Sequence, residues 1–325
     1  MSAAAESYGP GGGSRLIFGC MGLGGAWNTD PVSKADVAAA HQAVDAALEA
    51  GIRLFDHADI YRHGKAEAVF GTVLKERPGL RESIAIQTKC GIRLGEPGIP
   101  GHYDLDKATI LARVDESLRR LGTEQVEVLL LHRPDPLLEP DEVAAAFAEL
   151  RAAGKVRSFG VSNMSGEQMR LLQGSLDEPL VANQLEMSLA RLDWLESGVL
   201  VNHPDGRGVS FPHGTLEYCR ENGVELQAWG ALAQGVFSGT ASAASSSDEL
   251  ATADLVTQLA EARSTSPEAI VLGWLMKHPA RIRPVIGTTN PERIRACAGA
   301  EEQAALMSRT DWYGLWSSVR GRPLP

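Results

Sequence analysis

Six polar residues stand at or near the ends of short apolar runs: Asp56, Lys89, His132, Ser162, Asn163 and Gln184. Taken singly, each has an ordinary role, since a strand-terminal Asp caps a turn and an isolated Lys or His is satisfied by a neighbour or solvated. Taken together they are a carboxylate, an ammonium, an imidazole, a hydroxyl and two amides. Gathering these around one cavity is costly without a functional use. Such a set can hold or donate a proton and stabilise charge on a substrate oxygen.

The elements that must bring them together are legible as alternation. Apolar runs at 16–21, 52–56, 84–89, 128–132, 159–162, 181–186, 225–229 and 283–287 read as strands buried on both faces, as in a parallel sheet. Between them lie helical patterns at 35–50, 66–75, 108–121, 141–153, 166–173, 215–221, 248–263, 267–277 and 291–298, several stopped by glycine (Gly51, Gly122, Gly154, Gly223). Eight strands with interleaved helices and no dividing linker predict an α/β fold: a single-domain (β/α)8 TIM barrel over 15–325, behind a flexible tail at 1–14. An open doubly wound sheet is the competitor, but it would place a GxGxxG turn after the first strand. Gly19, Gly22, Gly24 and Gly25 do not have that spacing. In a barrel, strand C-termini converge, so the six polar residues meet at one face. Two long connections, 90–107 and 187–212, leave strand ends on that same face and are expected to be loops over the site, the second covering part of the substrate face.

The balance of the chain narrows its partners. A net charge of −10 with no basic patch argues against nucleic acid or an anionic membrane. Cys20, Cys90, Cys219 and Cys297 form neither a disulfide framework nor a zinc site. The first fourteen residues lack the basic and apolar regions of a signal peptide, and no apolar run approaches membrane-spanning length, so a reduced, cytoplasmic, soluble protein is expected.

Several segments carry a resemblance. FDHADIY (55–61), QTKCGI (87–92), LLLHRPD (129–135), GVSN (160–163), NQLE (183–186) and TTNPERIR (288–295) occur in the order of the successive signatures of the aldo-keto reductases. The match runs from about Leu16 to Cys297 and is similar to a bacterial branch with HADIY, KCGI and HRPDP. It implies NADPH-dependent reduction of an aldehyde or ketone, with Tyr61 as general acid, Lys89 and Asp56 as its tuning pair and His132 orienting the carbonyl. Elementary chemistry is consistent with these roles. A phenol near pKa 10 is a poor donor at neutral pH, and a nearby ammonium is expected to lower its pKa. Asp56 would keep Lys89 charged and aimed, and His132 could bond the oxygen as negative charge develops.

The same resemblance places the cofactor. Ser162, Asn163 and Gln184 would hold the nicotinamide carboxamide, Trp229 would stack on the ring, and the loop Gly230–Gly235, with Leu232, would follow the pyrophosphate. Ile286, Gly287 and Thr288 lead into a helix whose N-terminus suits an anion, with Arg293 in its first turn for a 2′-phosphate. Gly287 departs from the family at a position where many members have a Lys beside this phosphate, which narrows the margin; NADPH remains favoured and NADH is a weaker option. Trp27, His57 and Tyr103 are candidates for the substrate pocket, with Trp194 and Arg133 beside them. Arg133 would meet an anionic substrate or a carboxylate such as Asp135. For Trp312, Tyr313 and Trp316, barrel bottom and rim both remain open.

Two other readings compete. One is a barrel of this type holding NADPH as a redox sensor or regulatory subunit with little turnover. The other is a metal-dependent hydrolase using His57, Asp59, His63 and His132. It lacks an HxH pair on the first strand and a carboxylate at position 286, so no metal is expected. Substrate identity and oligomeric state are not readable from the chain.

Overall fold

All eight apolar runs form strands, and side-chain alternation along them explains where the polar residues point. The computed structural model describes residues 13–240 and 245–325. Residues 1–12 of the expected tail and 241–244 of the Ala/Ser-rich stretch lie outside it. The strands are β1 (Ile17–Gly19), β2 (Leu54–Asp56), β3 (Ala85–Cys90), β4 (Ile92–Arg93), β5 (His102–Tyr103), β6 (Val126–Leu131), β7 (Val156–Ser162), β8 (Ala182–Glu186), β9 (Glu225–Trp229) and β10 (Arg283–Ile286). Eight close a parallel barrel in the order β1-β2-β3-β6-β7-β8-β9-β10, and β10 pairs back onto β1. Strands β4 and β5 form an antiparallel hairpin inside the 90–107 connection, which is therefore more than a loop.

Successive side chains on a strand face opposite sides. Ile17, Leu54, Ala85, Val128, Leu130, Ala182 and Val285 form one small apolar cluster inside the barrel, while Phe18, Phe55, Ile86, Leu129, Leu131, Val161, Leu226 and Ile286 belong to the larger cluster under the helices. The barrel strands are thus buried on both faces over most of their length. The inward parity continues toward the C-terminal ends: Asp56 follows Leu54 by two, Gln87 and Lys89 follow Ala85 by two and four, His132 follows Leu130 by two, and Gln184 follows Ala182 by two. An apolar plug below and a polar layer above result from one period.

Local signals set the helix ends. Ser33 and Asp36 make a reciprocal capping box at the start of helix Lys34–Glu49. Gly122, at φ 65°, closes Lys107–Leu121 in the left-handed region that glycine enters without penalty. Ser14 is already tied down, its amide donating to Gly51 O and its hydroxyl to Glu301. Among the described residues, no helix is long and apolar enough to cross a membrane.

The 187–212 segment is not the expected loop over the site. It contains helix Asp193–Val199 and a 3-10 turn, Pro204–Gly208. Trp194 is fully buried, edge-on to Trp274 and to His278 with centroids 5.8 and 5.2 Å away. Arg320 of the C-terminal helix Arg309–Arg320 pairs with Glu196 at 2.7 Å and with Asp205 at 3.5 Å. That helix lies against helix Pro267–Lys277 in the outer layer, so neither bottom nor rim describes Trp312 and Trp316. Trp312 stacks on Trp274 (5.4 Å, 14°), and each indole N–H donates to the other's backbone carbonyl at 3.0 Å. Apolar burial and the Arg320 ion pairs hold the segment to the barrel wall.

Candidate active site

Lys89 is buried at the end of β3, and all three of its ammonium donors are used. Nζ donates to Asp56 Oδ2 at 2.7 Å, to His57 O at 2.9 Å and to the phenolic oxygen of Tyr61 at 3.1 Å. Tyr61 reaches it through a tight turn. The chain leaves β2 at Asp56 and enters a 3-10 turn, Tyr61–Gly64, in which Arg62 and His63 adopt φ 51° and 57°. A left-handed conformation at two adjacent non-glycine residues is unfavourable and persists only where surroundings impose it. Here Asp59 is anchored to Arg113 at 2.7 Å, and the Arg62 guanidinium donates to Met21 O at 3.0 Å while lying over the Trp27 ring.

The electrostatics depart from expectation at Tyr61. Burial pushes its pKa up, and the neighbouring Lys89 cation opposes that shift without overcoming it. The expected net depression is absent. Burial also works against the Lys89 ammonium, but Asp56 and Tyr61 outweigh it and raise the Lys89 pKa. His132 meets Tyr61 edge-on with centroids 5.9 Å apart. Burial, Lys89 and Arg133 hold its pKa well below the ordinary value, so the imidazole is neutral. Its Nδ1 has no hydrogen-bond partner among the described residues.

The amide row lies beside this group. Ser162 Oγ donates to Gln184 O at 2.8 Å, and Asn163 Nδ2 donates to Ser162 Oγ at 2.8 Å and to His132 O at 3.3 Å. Trp229 donates its indole N–H to Asn163 Oδ1 at 3.1 Å. Gln184 turns its Nε2 inward to Asp56 Oδ1 and Gln227 Oε1, at 3.2 and 3.0 Å. Gln87 and Gln227 join the same layer and were not singled out from the sequence. Their signal is parity: each lies two residues before a strand-end site residue, Lys89 and Trp229.

The glycine loop and the last segment lie side by side. Gly230 and Gly235 have φ 69° and 85°, and Ala233–Gly235 with Leu232 before it makes a 3-10 turn. At φ 85° a Cβ at Gly235 is strained whatever the space, and Arg293 Nη2 and the Thr240 side chain approach the bare backbone there. Arg293 reaches Ser238 Oγ at 3.5 Å and Glu268 at 3.6 Å. Ile286 ends β10 in the core, and Gly287 and Thr288 follow, Thr288 Oγ1 accepting from Asn290 N. The Asn290 side chain caps the helix Pro291–Ala296, accepting from the amides of Glu292 and Arg293 at 2.9 and 3.2 Å. Those two amide donors are occupied by the cap.

The pocket candidates divide. Trp27 and Tyr103 are both a little over two-fifths exposed, Trp27 with its ring centroid 6.1 Å from that of His63 and Tyr103 on the β4–β5 hairpin. His57 does not line a pocket. It follows inward-facing Asp56, so its ring points outward, 4.7 Å from Phe70 and wholly buried. Trp194 is equally removed, in the outer layer. Arg133 makes no ion pair among the described residues, and Asp135 instead accepts from the amides of Leu105 and Leu137.

The barrel and its convergent strand ends match a known family. A model described as the aldo/keto reductase family matches residues 15–309. The chain belongs to that family. Aldo/keto reductases are oxidoreductases that work with a nicotinamide cofactor. Its relatives include an uncharacterised oxidoreductase of Bacillus subtilis, 36% identical over 317 residues covering 96% of each chain. A 6-dehydroglucose reductase of Agrobacterium fabrum is 35% identical over 319 residues, 95% of each. Among solved structures, an aldo-keto reductase from Klebsiella pneumoniae in complex with NADPH superposes with TM-score 0.72 at 23% identity, covering 96% of this chain and 93% of that one, which is a likeness of fold.

Proposed function

We propose that this aldo/keto reductase reduces an aldehyde or ketone to an alcohol with NADPH, and that Tyr61 donates the proton. The observation that carries the reading is the Lys89 ammonium, which bonds the Tyr61 hydroxyl at 3.1 Å and Asp56 at 2.7 Å.

The residues fit the cofactor. Asn163, Ser162 and Gln184 would hold the nicotinamide carboxamide; with the Gln184 nitrogen turned inward, its oxygen is the atom left to accept. Trp229 would stack on the ring, Gly230, Leu232 and Gly235 would let the pyrophosphate approach, and Arg293 would bond the 2′-phosphate. NADPH supplies the hydride, which no side chain can. The protein's part is acid catalysis and orientation. Neutral His132 offers a hydrogen bond to the carbonyl oxygen, which gains negative charge during reduction. Tyr61 gives that oxygen its proton, and Lys89 stabilises the phenolate left behind. Asp56 keeps the Lys89 cation in place.

The substrate would enter past Trp27, which lies under the Arg62 guanidinium, and past Tyr103. The likeness to a 6-dehydroglucose reductase puts oxidised sugars first among carbonyl compounds to be tried. The test is a panel of sugar-derived, aliphatic and aromatic carbonyls followed by NADPH absorbance, with Tyr61→Phe alongside. Turnover by the wild type and its loss in Tyr61→Phe support the reading. No turnover with tight NADPH binding would instead favour a sensor or regulatory role.

A further inference from the structure

The carboxylate of Asp56 receives more than Lys89. Its Oδ1 accepts from Gln87 Nε2 at 2.6 Å and from Gln184 Nε2 at 3.2 Å. Gln87 is in turn locked to Gln227 by two reciprocal amide bonds: Gln87 Nε2 to Gln227 Oε1 at 2.8 Å and Gln227 Nε2 to Gln87 Oε1 at 3.0 Å. Gln227 Nε2 also donates to Glu225 Oε1 at 3.0 Å, and Glu225 pairs with Arg283 at 3.3 Å. Gln87, Gln184 and Gln227 are all buried within the barrel.

The direction of every bond in this chain is determined. A carboxylate paired to arginine only accepts, so Gln227 must turn its NH2 end toward Glu225. That places Gln227 Oε1 against Gln87, which forces the NH2 end of Gln87 toward both Gln227 and Asp56. A flipped Gln87 would set two acceptor oxygens against each other and leave buried donors unsatisfied. The arrangement therefore presents only donor hydrogens to Asp56 Oδ1 and leaves Oδ2 for Lys89. We infer that Gln87 and Gln227 are positioning residues for the reduction, holding Asp56, and through it Lys89 and Tyr61, in working geometry. The inference rests on the role of Tyr61 proposed above.

The experiment replaces both amides by a side chain of similar length, Gln87→Met with Gln227→Met, because removing a bonded pair together leaves fewer orphaned groups than removing one. The expected result is a fall in kcat of about tenfold or more, with the carbonyl KM and the NADPH Kd within about twofold of wild type. The ionisation of Tyr61 in the cofactor-free protein, read as the ultraviolet titration difference from Tyr61→Phe in each background, should move as it does in Asp56→Asn. Adding the two substitutions to Asp56→Asn should lower kcat no further, since both routes pass through the same carboxylate. Should the double variant not fold by circular dichroism, Gln227→Met alone removes the two amide bonds that lock Gln87 and carries the same readouts. Wild-type kcat in the amide variants, or losses that multiply with Asp56→Asn, overturns the inference. Activity retained in Tyr61→Phe would instead overturn the acid role itself, while its loss beside unaffected amide variants would overturn only the positioning role.

Discussion

Lys89 Nζ stands 3.1 Å from the phenolic oxygen of Tyr61 and 2.7 Å from Asp56 Oδ2, joining the ends of β2 and β3 through one buried cation. That bond makes Tyr61 and Lys89 one unit. Tyr61→Phe keeps the ring and removes only the hydroxyl, so kcat should fall by roughly 10²–10⁴-fold, the usual contribution of a general acid, with NADPH binding retained. Lys89→Met should do comparable damage, and the double variant should be little worse than either single one. NADPH oxidation at saturating substrate measures all three. Because Lys89→Met leaves Asp56 buried beside a thioether, it also carries a folding cost of about 3–5 kcal/mol, which pairing it with Asp56→Asn should reduce.

Arg293 is loosely held by Glu268 and Ser238, and the helix amides beside it are already capped by Asn290. The proposed contact to the 2′-phosphate would be made by the guanidinium. Arg293→Ala should weaken NADPH by about ten- to hundredfold while leaving NADH nearly unchanged, since a charge-assisted contact contributes about 1.5–3 kcal/mol. Fluorescence titration with each cofactor decides the matter; equal losses would assign Arg293 to the helix alone.

Acid should destabilise the fold through His57. Burial, then Lys89, lowers its pKa from 6.5 to about 3, and neither ring nitrogen has a partner among the described residues. The folded-state pKa lies below the unfolded one, so between pH 6.5 and about 3 the unfolded chain binds the proton that the folded chain excludes. Stability contributed by the neutral ring is present above pH 6.5 and lost as pH falls, up to roughly 5 kcal/mol by pH 3. Asp59 acts in the opposite sense, because burial, partly offset by Arg113, raises its pKa to about 6. Urea midpoints of wild type and His57→Leu from pH 7 to 4 isolate the histidine: the variant should show the shallower acid decline.

The 193–208 region should behave as structure. Trp194→Ala removes a fully buried indole from the Trp274 and His278 contacts and should cost about 3–5 kcal/mol. Thermal unfolding checks this, and the ratios of kcat/KM among carbonyl substrates should stay those of the wild type. A changed substrate preference at unchanged Tm would return the segment to the site.

What the chain determined by itself was the alternation of elements and the order of the site residues. Eight two-sided apolar runs and glycine-stopped helices admit few folds, and Asp56, Lys89, His132 and Gln184 lie at or near the C-terminal ends of strands that a barrel must bring together. These are local patterns, and burial on both faces of a strand is written in its own residues. Tertiary structure decided what depends on partners distant in sequence. Whether His57 faced the pocket turned on the inward register of β2, which Leu54 sets only once it packs against Ile17 and Ala85. Gln87 and Gln227 became part of the site because the closed barrel set their amides together across 140 positions. The polar, glycine-rich 187–212 segment read as a loop because its order comes from Trp274, His278 and Arg320, contacts that no periodicity within it encodes. Even the Tyr61 pKa followed this division: the neighbouring cation was legible, but the burial that outweighs it exists only in the folded barrel.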